Sequence, residues 1–335
     1  TPPDRKGSAL SVFYLAVPLG YAMGYILGGS VAQHWAVYLN PVVLDGYRVA
    51  FDWAGLAGHI NPVVVHRHVI EYLPATLPAW RTAFFISGGP GLVLALSCLL
   101  IVEPPRKLLD AKARLIDGVR VIIGIPLFRR AVLGYTAFIA SVAGFSYWAP
   151  DFLLTEFRQL DIETANRWFG LVLIVAGAIG TVIGGRFANR ALADPAVGPD
   201  APYDSPANKR AVNALLRICA IGMAVAAPLA TLGFFMPGPL AFFVTTFVVD
   251  IGLFASTSPI NLAFMRSVPI ERRASAMAAS IFAIHLFGDL WSAAALGLLR
   301  DALSPRLAMM ALPLTFALAA YLWWPRHREA LPGTG

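Results

Sequence analysis

The sequence predicts an all-α integral membrane protein with about eight transmembrane helices. Of its 335 residues, 58% are hydrophobic and only 13% charged, where a soluble domain carries about 25% charged residues. Mean hydropathy is +0.67. Apolar runs close to the roughly 20 residues that cross a bilayer recur near 9–31, 80–102, 131–154, 164–188, 211–235, 238–265, 274–299 and 304–324.

The connections between these runs have distinct characters. Asp151, Glu156, Arg158, Asp161, Glu163 and Arg167 crowd the turn between the third and fourth runs. Residues 103–130 combine basic and apolar side chains and predict an amphipathic helix on the membrane surface. Residues 189–210 are rich in Pro, Asp and Ala and read as a loop. Residues 32–79 hold Trp35, Tyr38, Tyr47, Trp53 and Tyr72, with no run of spanning length. They predict short interfacial helices or a folded loop. The chain opens at Thr1 with Thr-Pro-Pro-Asp-Arg-Lys-Gly, a loop-like start expected of a piece of something longer.

Lys and Arg set the orientation. With a cytoplasmic N-terminus, nineteen basic residues fall inside and seven outside. Both termini are then cytoplasmic. Topology thus accounts for the net charge of +7 without a nucleic-acid partner.

Ionisable residues inside spans are costly in lipid and are the first candidates for function. Asp250 lies mid-span, and His285 and Asp289 lie four apart on one helical face. A carboxylate one turn from an imidazole can share a proton, which suits proton coupling. A hydrogen bond within the bundle is the other reading for all three. Ser256-Thr-Ser-Pro259-Ile-Asn261 interrupts the sixth run. Pro259 removes a backbone donor there, giving a kink or a cavity wall. Gly20, Gly24 and Gly28 form a flat face for helix packing or pivoting. Cys98 and Cys219 sit in apolar runs and read as small core residues. His59, His66 and His68 cluster in the insert, but no metal site is expected from them. The sequence holds no phosphate-binding loop and no His-Glu-x-x-His, so no enzyme activity, catalytic residue or cofactor is expected.

Several motifs together resemble the major facilitator superfamily, and within it the Spinster-like branch. Arg5-Lys-Gly-Ser-Ala-Leu-Ser-Val-Phe-Tyr14 with Pro18, Gly20, Gly24 and Gly28-Gly29 is similar to the approach to helix five and that helix. Trp80-Arg-Thr-Ala-Phe-Phe85, Gly89-Pro-Gly91 and Glu103-Pro-Pro-Arg106 resemble helix six and its exit. Tyr147-Trp-Ala-Pro150 resembles the end of helix seven. Gly184-Gly185-Arg186-Phe-Ala-Asn189-Arg190 is similar to the cytoplasmic signature after helix eight, with Asn189 where the family usually carries Asp. Arg272-Arg-Ala-Ser-Ala-Met-Ala278 and Ile284-His-Leu-Phe-Gly-Asp289 resemble helix eleven.

The resemblance implies a twelve-helix fold of two six-helix bundles, of which helices five to twelve are present. Residues 1–102 would hold the last two helices of the first bundle with an outward insert at 32–79. Residues 103–130 would form the cytoplasmic linker, 131–325 the C-terminal bundle and 326–335 the tail. The implied function is secondary active transport of a small or amphiphilic solute, lysophospholipid- or sphingolipid-like, by alternating access with protons. The implied location is a bacterial inner membrane, with membrane lipids as further partners. A drug or metabolite efflux transporter for organic anions or sugars is the first alternative. A non-transporting remnant or scaffold is the second. The expected cavity is lined by Phe243, Phe247, Asp250, Phe254, Ser258, Asn261, Phe282, His285 and Asp289. Gly185, Arg186, Asn189 and Arg190 are expected to gate it.

Overall fold

The computed structural model describes residues 6–31, 42–44, 47–51, 62–66, 79–100, 115–198 and 201–325. Contacts divide the chain into two compact units. One is Thr1–Ala22, Leu108–Arg158 and Leu171–Gly335, and the other is Met23–Lys107 with Gln159–Gly170.

The helices are α1 (Lys6–Tyr14), α2 (Ala16–Ser30), α3 (Ala79–Ser97), α4 (Leu115–Gly124), α5 (Pro126–Glu156), α6 (Ile162–Ala191), α7 (Pro206–Phe234), α8 (Pro239–Ala255), α9 (Thr257–Arg266), α10 (Arg273–Ile284), α11 (Leu290–Ala302), α12 (Pro305–Met309) and α13 (Ala311–Trp323). Among the described residues, seven helical stretches are long and apolar enough to cross a membrane, and the protein is integral to one. The second predicted run, 80–102, keeps a shorter apolar helical stretch, Ile86–Leu100. Leu92, Leu94, Leu99, Leu240, Leu290, Leu298 and Leu314 are exposed, as befits a chain whose solvent is hydrocarbon.

Within 32–79 the described residues before Ala79 form strands rather than the short helices offered by one reading. β1 (Val42–Leu44), β2 (Tyr47–Phe51) and β3 (Pro62–His66) make an antiparallel sheet in chain order. Val42-Val43, Val49 and Val63-Val64-Val65 supply the β-branched residues that favour strands. Asp45-Gly46, between β1 and β2, is a pair that two-residue hairpin connections favour. Outside this sheet every described element is helical. The surface-helix segment contributes α4, while 103–114 and the tail 326–335 lie outside the described residues, as do His59 and His68.

Within the first unit, α5, α7 and α13 pack together and α8 packs on α7. Leu215, Leu216, Met223, Ile260, Phe264 and Trp323 are fully buried there. The Trp323 indole donates to the Ala131 carbonyl at 3.1 Å, with Gly134 beneath the ring. α5 begins at Pro126, five residues before the predicted span, since proline suits the first helical position. Arg130 falls inside this helix, 6% exposed, and donates to Asn213 Oδ1. Phe152, Phe157, Phe234 and Phe242 stack edge-on and tilted at one end of the unit. Nearby, Arg300 pairs with Asp151 at 2.5 Å and Arg306 with Glu156 at 2.6 Å. The charges that the sequence places in a crowded turn are thus partly absorbed into helix ends. Cys219 is buried, but Cys98 is exposed, so the core reading of Cys98 is corrected.

Glycines let α6 and α7 meet α8 backbone to backbone. A Cβ at Gly184 would overlap the Ala255 carbonyl oxygen, and one at Gly180 would lie 2.5 Å from the Ile251 oxygen. Across the other contact, a Cβ at Gly222 would lie 2.8 Å from the Gly252 oxygen. By contrast, a Cβ at Gly20, Gly24 or Gly28 would meet nothing within 4 Å. The packing expected of that face is made instead by Gly29, whose Cβ position lies 2.7 Å from Asn166, and by Pro18 against Gly177.

At the start of α6, Asp161 caps the helix. It accepts from the Thr164 amide and hydroxyl, each at 2.8 Å. The Thr164 amide, followed by its hydroxyl, holds the Asp161 carboxyl below its ordinary value.

Gly184→Val is expected to destabilise the protein by about 1–3 kcal/mol through overpacking, while Gly20→Ala leaves stability unchanged. Thermal unfolding of the two variants in detergent checks this. A carboxyl with a lowered native pKa stabilises above its unfolded value, and the effect fades as pH falls through the native one. Asp161→Ala should therefore speed amide exchange at the start of α6 at neutral pH. The difference from wild type should vanish below the usual carboxylate range.

Candidate functional site

α10 and α11 belong to one long apolar stretch, Ile270–Ala302. They are joined by a π-turn, His285–Asp289. The Leu290 amide donates to the His285 carbonyl, five residues back. Such turns insert one extra residue into a helix and often mark functional positions. Gly288 seats this turn on α5. A Cβ there would lie 3.1 Å from the Thr136 carbonyl and 3.3 Å from the Ile139 side chain.

The turn brings His285 Nδ1 to 2.6 Å from Asp289 Oδ2. The side chains are 61% and 30% exposed, so this pair is not sealed in the core. Phe282 precedes it by one turn and is 66% exposed, with Leu286, Phe287 and Trp291 also exposed around it. The Trp291 indole donates to the Phe287 carbonyl at 3.1 Å. Tyr21, on α2, lies within electrostatic reach of Asp289. Tyr135 on α5 in turn interacts with both Tyr14 and Tyr21. Of these three phenols, Tyr21 is the one shown within electrostatic reach of Asp289. None of them stands among the sequence candidates, because the glycines flanking Tyr21 drew the reading to packing.

The remaining candidates are not gathered at this point. Phe243 is buried against Phe242, with ring centroids 5.7 Å apart. Phe254 sits in the crossing of α6 on α8, against Gly177 and Gly180. Phe247 is half-buried. Ser258 and Asn261 are buried, and Asn261 Nδ2 donates to its own helix at the Thr257 carbonyl, 2.8 Å away. Asp250 is 4% exposed, and its Oδ2 has no hydrogen-bond partner among the described residues. Gly185 is buried beside the crossing glycine Gly184. Arg186 is exposed, and Arg190 lies over the Phe187 ring at 5.5 Å. Asn189 Nδ2 donates to Ser8 Oγ at 2.7 Å, linking α6 to α1. Among the described residues no group of three or more His, Cys, Asp or Glu could hold a metal.

A multi-span helical bundle with an ionisable pair on an irregular turn inside a span defines a polytopic membrane protein with a candidate functional site at that turn. Residues 1–288 match the Major Facilitator Superfamily, and the chain belongs to that family. It is 26% identical over 329 residues to the "Probable sphingolipid transporter spinster homolog 2" of Arabidopsis thaliana, with 96% of this chain and 58% of that protein covered. It is 24% identical to the human "Protein spinster homolog 1", with 90% of this chain and 50% of that protein covered. The chain thus spans between half and three fifths of the length of these relatives. It also shares the fold of a bacterial homologue of the human lysosomal transporter Spinster, solved inward-facing and unoccupied. That similarity has a TM-score of 0.60 at 17% identity and covers 97% of this chain and 71% of the other. The Spinster-like resemblance read from the motifs is therefore shown.

Gly288→Val should push the π-turn off α5, where the Thr136 carbonyl leaves no room for a branched side chain. The expected result is a lowered unfolding temperature together with faster amide exchange through 285–290.

Proposed function

We propose that this chain is the helix-five-to-twelve part of a secondary transporter that moves a lipid-like amphiphile by alternating access, with protons as the coupling ion. The observation that carries the reading is the His285–Asp289 pair at 2.6 Å, placed within a membrane-spanning stretch and flanked by exposed aromatic side chains. A polar, proton-binding point beside apolar surface suits a solute with a headgroup and a hydrocarbon portion. The printed name of the Arabidopsis relative, a probable sphingolipid transporter, supports the same solute class.

In this reading His285 and Asp289 exchange a proton across their hydrogen bond as the site changes exposure. Tyr21 positions the carboxylate. Phe282 and the apolar side chains near it take the hydrocarbon portion. Asn189 and Ser8 form a neutral latch between α6 and α1 in place of an ionic one, with Arg186 and Arg190 beside it. Asp250 remains a candidate for a second polar contact, deeper in the bundle. The Lys and Arg distribution supports cytoplasmic termini, and the membrane proposed is a bacterial inner membrane.

The test uses the complete protein in proteoliposomes. Asp289→Asn should abolish flux driven by a pH gradient and preserve solute exchange, and Tyr21→Phe should slow pH-driven flux without abolishing it. A lysophospholipid should compete for uptake. Undiminished pH-driven flux in Asp289→Asn would remove the proton role. Indifference to lysophospholipid would favour a drug or metabolite efflux substrate instead.

A further inference from the structure

A second charged site lies away from the His285–Asp289 turn, where α9 ends and α10 begins. Arg266, the last residue of α9, is 5% exposed. Its Nη1 donates to the Gly198 carbonyl at 3.2 Å and to Asn208 Oδ1 at 3.4 Å, both neutral acceptors. Asn208 fixes this corner from the other side. Its Nδ2 donates to the Arg266 carbonyl at 2.8 Å and to the Tyr203 carbonyl at 2.9 Å. Arg273 stands close enough for its charge to act on Arg266. Arg273 Nε is buried without a hydrogen-bond partner among the described residues. Neither arginine has an ion-pair partner among those residues.

Two guanidinium groups held near one another, neither in an ion pair among the described residues, are an unfavourable arrangement by themselves. A buried charge needs a counter-charge or strong hydrogen bonds. Here a cavity of about 260 Å³ adjoins Arg273, lined by Tyr203, Val268, Ile270 and Glu271 among others. A 3-10 turn, Ile270–Arg272, leads from the cavity wall into α10 and uses the amides there: the Arg272 amide donates to the Pro269 carbonyl at 3.0 Å and the Arg273 amide to the Ile270 carbonyl. Two acidic side chains lie nearby: Glu271 on the cavity wall, exposed, and Asp204, next after Tyr203. Asp200, two residues after Gly198, is outside the described residues.

We propose that this cavity binds a phosphate-type oxyanion, held by Arg273 with Arg266 behind it. Guanidinium forks match the oxygens of phosphate esters and form the stronger, charge-assisted class of hydrogen bond. The rim is apolar: Val268 is fully buried, and Ile270 is 52% exposed beside Pro202 and Pro269. A phosphate ester on a lipid and free phosphate share the recognised chemistry, and the experiment separates them.

Purified complete protein is stripped of lipid in a neutral detergent. It is titrated separately with inorganic phosphate, dioctanoyl phosphatidylglycerol and dioctanoyl phosphatidylcholine, with binding read by native mass spectrometry and thermal shift. Binding of phosphatidylglycerol in preference to phosphatidylcholine is expected, and Arg273→Gln should weaken it about tenfold, the worth of one charge-assisted hydrogen bond. Binding of inorganic phosphate with the same Arg273 dependence assigns the site to a soluble anion. Binding of phosphatidylglycerol alone assigns it to a headgroup. Glu271→Gln removes an exposed repelling charge without touching the packing, and should tighten binding whether or not Arg273→Gln folds. No anion binding by wild type, equal affinity in Arg273→Gln, or unchanged affinity in Glu271→Gln each overturns the proposal.

Discussion

In hydrocarbon, helices gain little by hiding apolar side chains from an equally apolar solvent, so their association rests on close packing. α8 meets this constraint with its backbone. Gly180 and Gly184 of α6 press on the Ile251 and Ala255 carbonyls, and Gly222 of α7 presses on Gly252. The break between α8 and α9 contributes directly. Pro259 has no amide to offer the Ala255 carbonyl four residues back, and that oxygen is the one Gly184 approaches. A lost helical hydrogen bond and a close interhelical contact thus fall at one atom. Ser256 secures the joint, its hydroxyl donating to the Gly252 carbonyl at 3.2 Å.

The buried charges follow a related logic. Three arginines show how a charged side chain is met by what its position offers, while the Asp250 carboxyl keeps one oxygen unpartnered among the described residues. Arg130 finds the Asn213 amide oxygen, Arg266 finds Asn208 and a carbonyl, and Arg300 finds both Asp151 and the face of Trp148, 4.8 Å away. Neutral partners serve the buried Arg130 and Arg266, and carboxylates the more exposed Arg300 and Arg306, where the cost of holding two charges out of water is smaller.

This pattern also explains which features could be read from sequence. Long apolar runs revealed the spans, and Pro259 revealed the break, because each acts locally and through residue type alone. Arg129-Arg130 read as a boundary, since nothing in the sequence shows that Asn213, far along the chain, accepts from Arg130. The regular spacing of Gly20, Gly24 and Gly28 suggested a packing face, yet Gly29 and Pro18 make the contacts, because the partner's shape decides which small residue is used. His285 and Asp289 were legible as a pair from their spacing and the rarity of charge within a span. Tyr21 was not, because it joins them only through the approach of another helix. Valine-rich stretches in the insert carried a strand signal that was hidden by its prolines and aromatic residues.

The π-turn has a mechanical consequence. By reaching back five residues at Leu290, it holds one residue more than an α-helix would over the same path. That surplus is slack, and slack in a helix can travel. If the turn straightened at His285 and reappeared one turn further on, the intervening segment would advance by about 1.5 Å and rotate by about 100°. Such a slip would turn Asp289 and its neighbours to a new face while leaving both ends of the long helix in place.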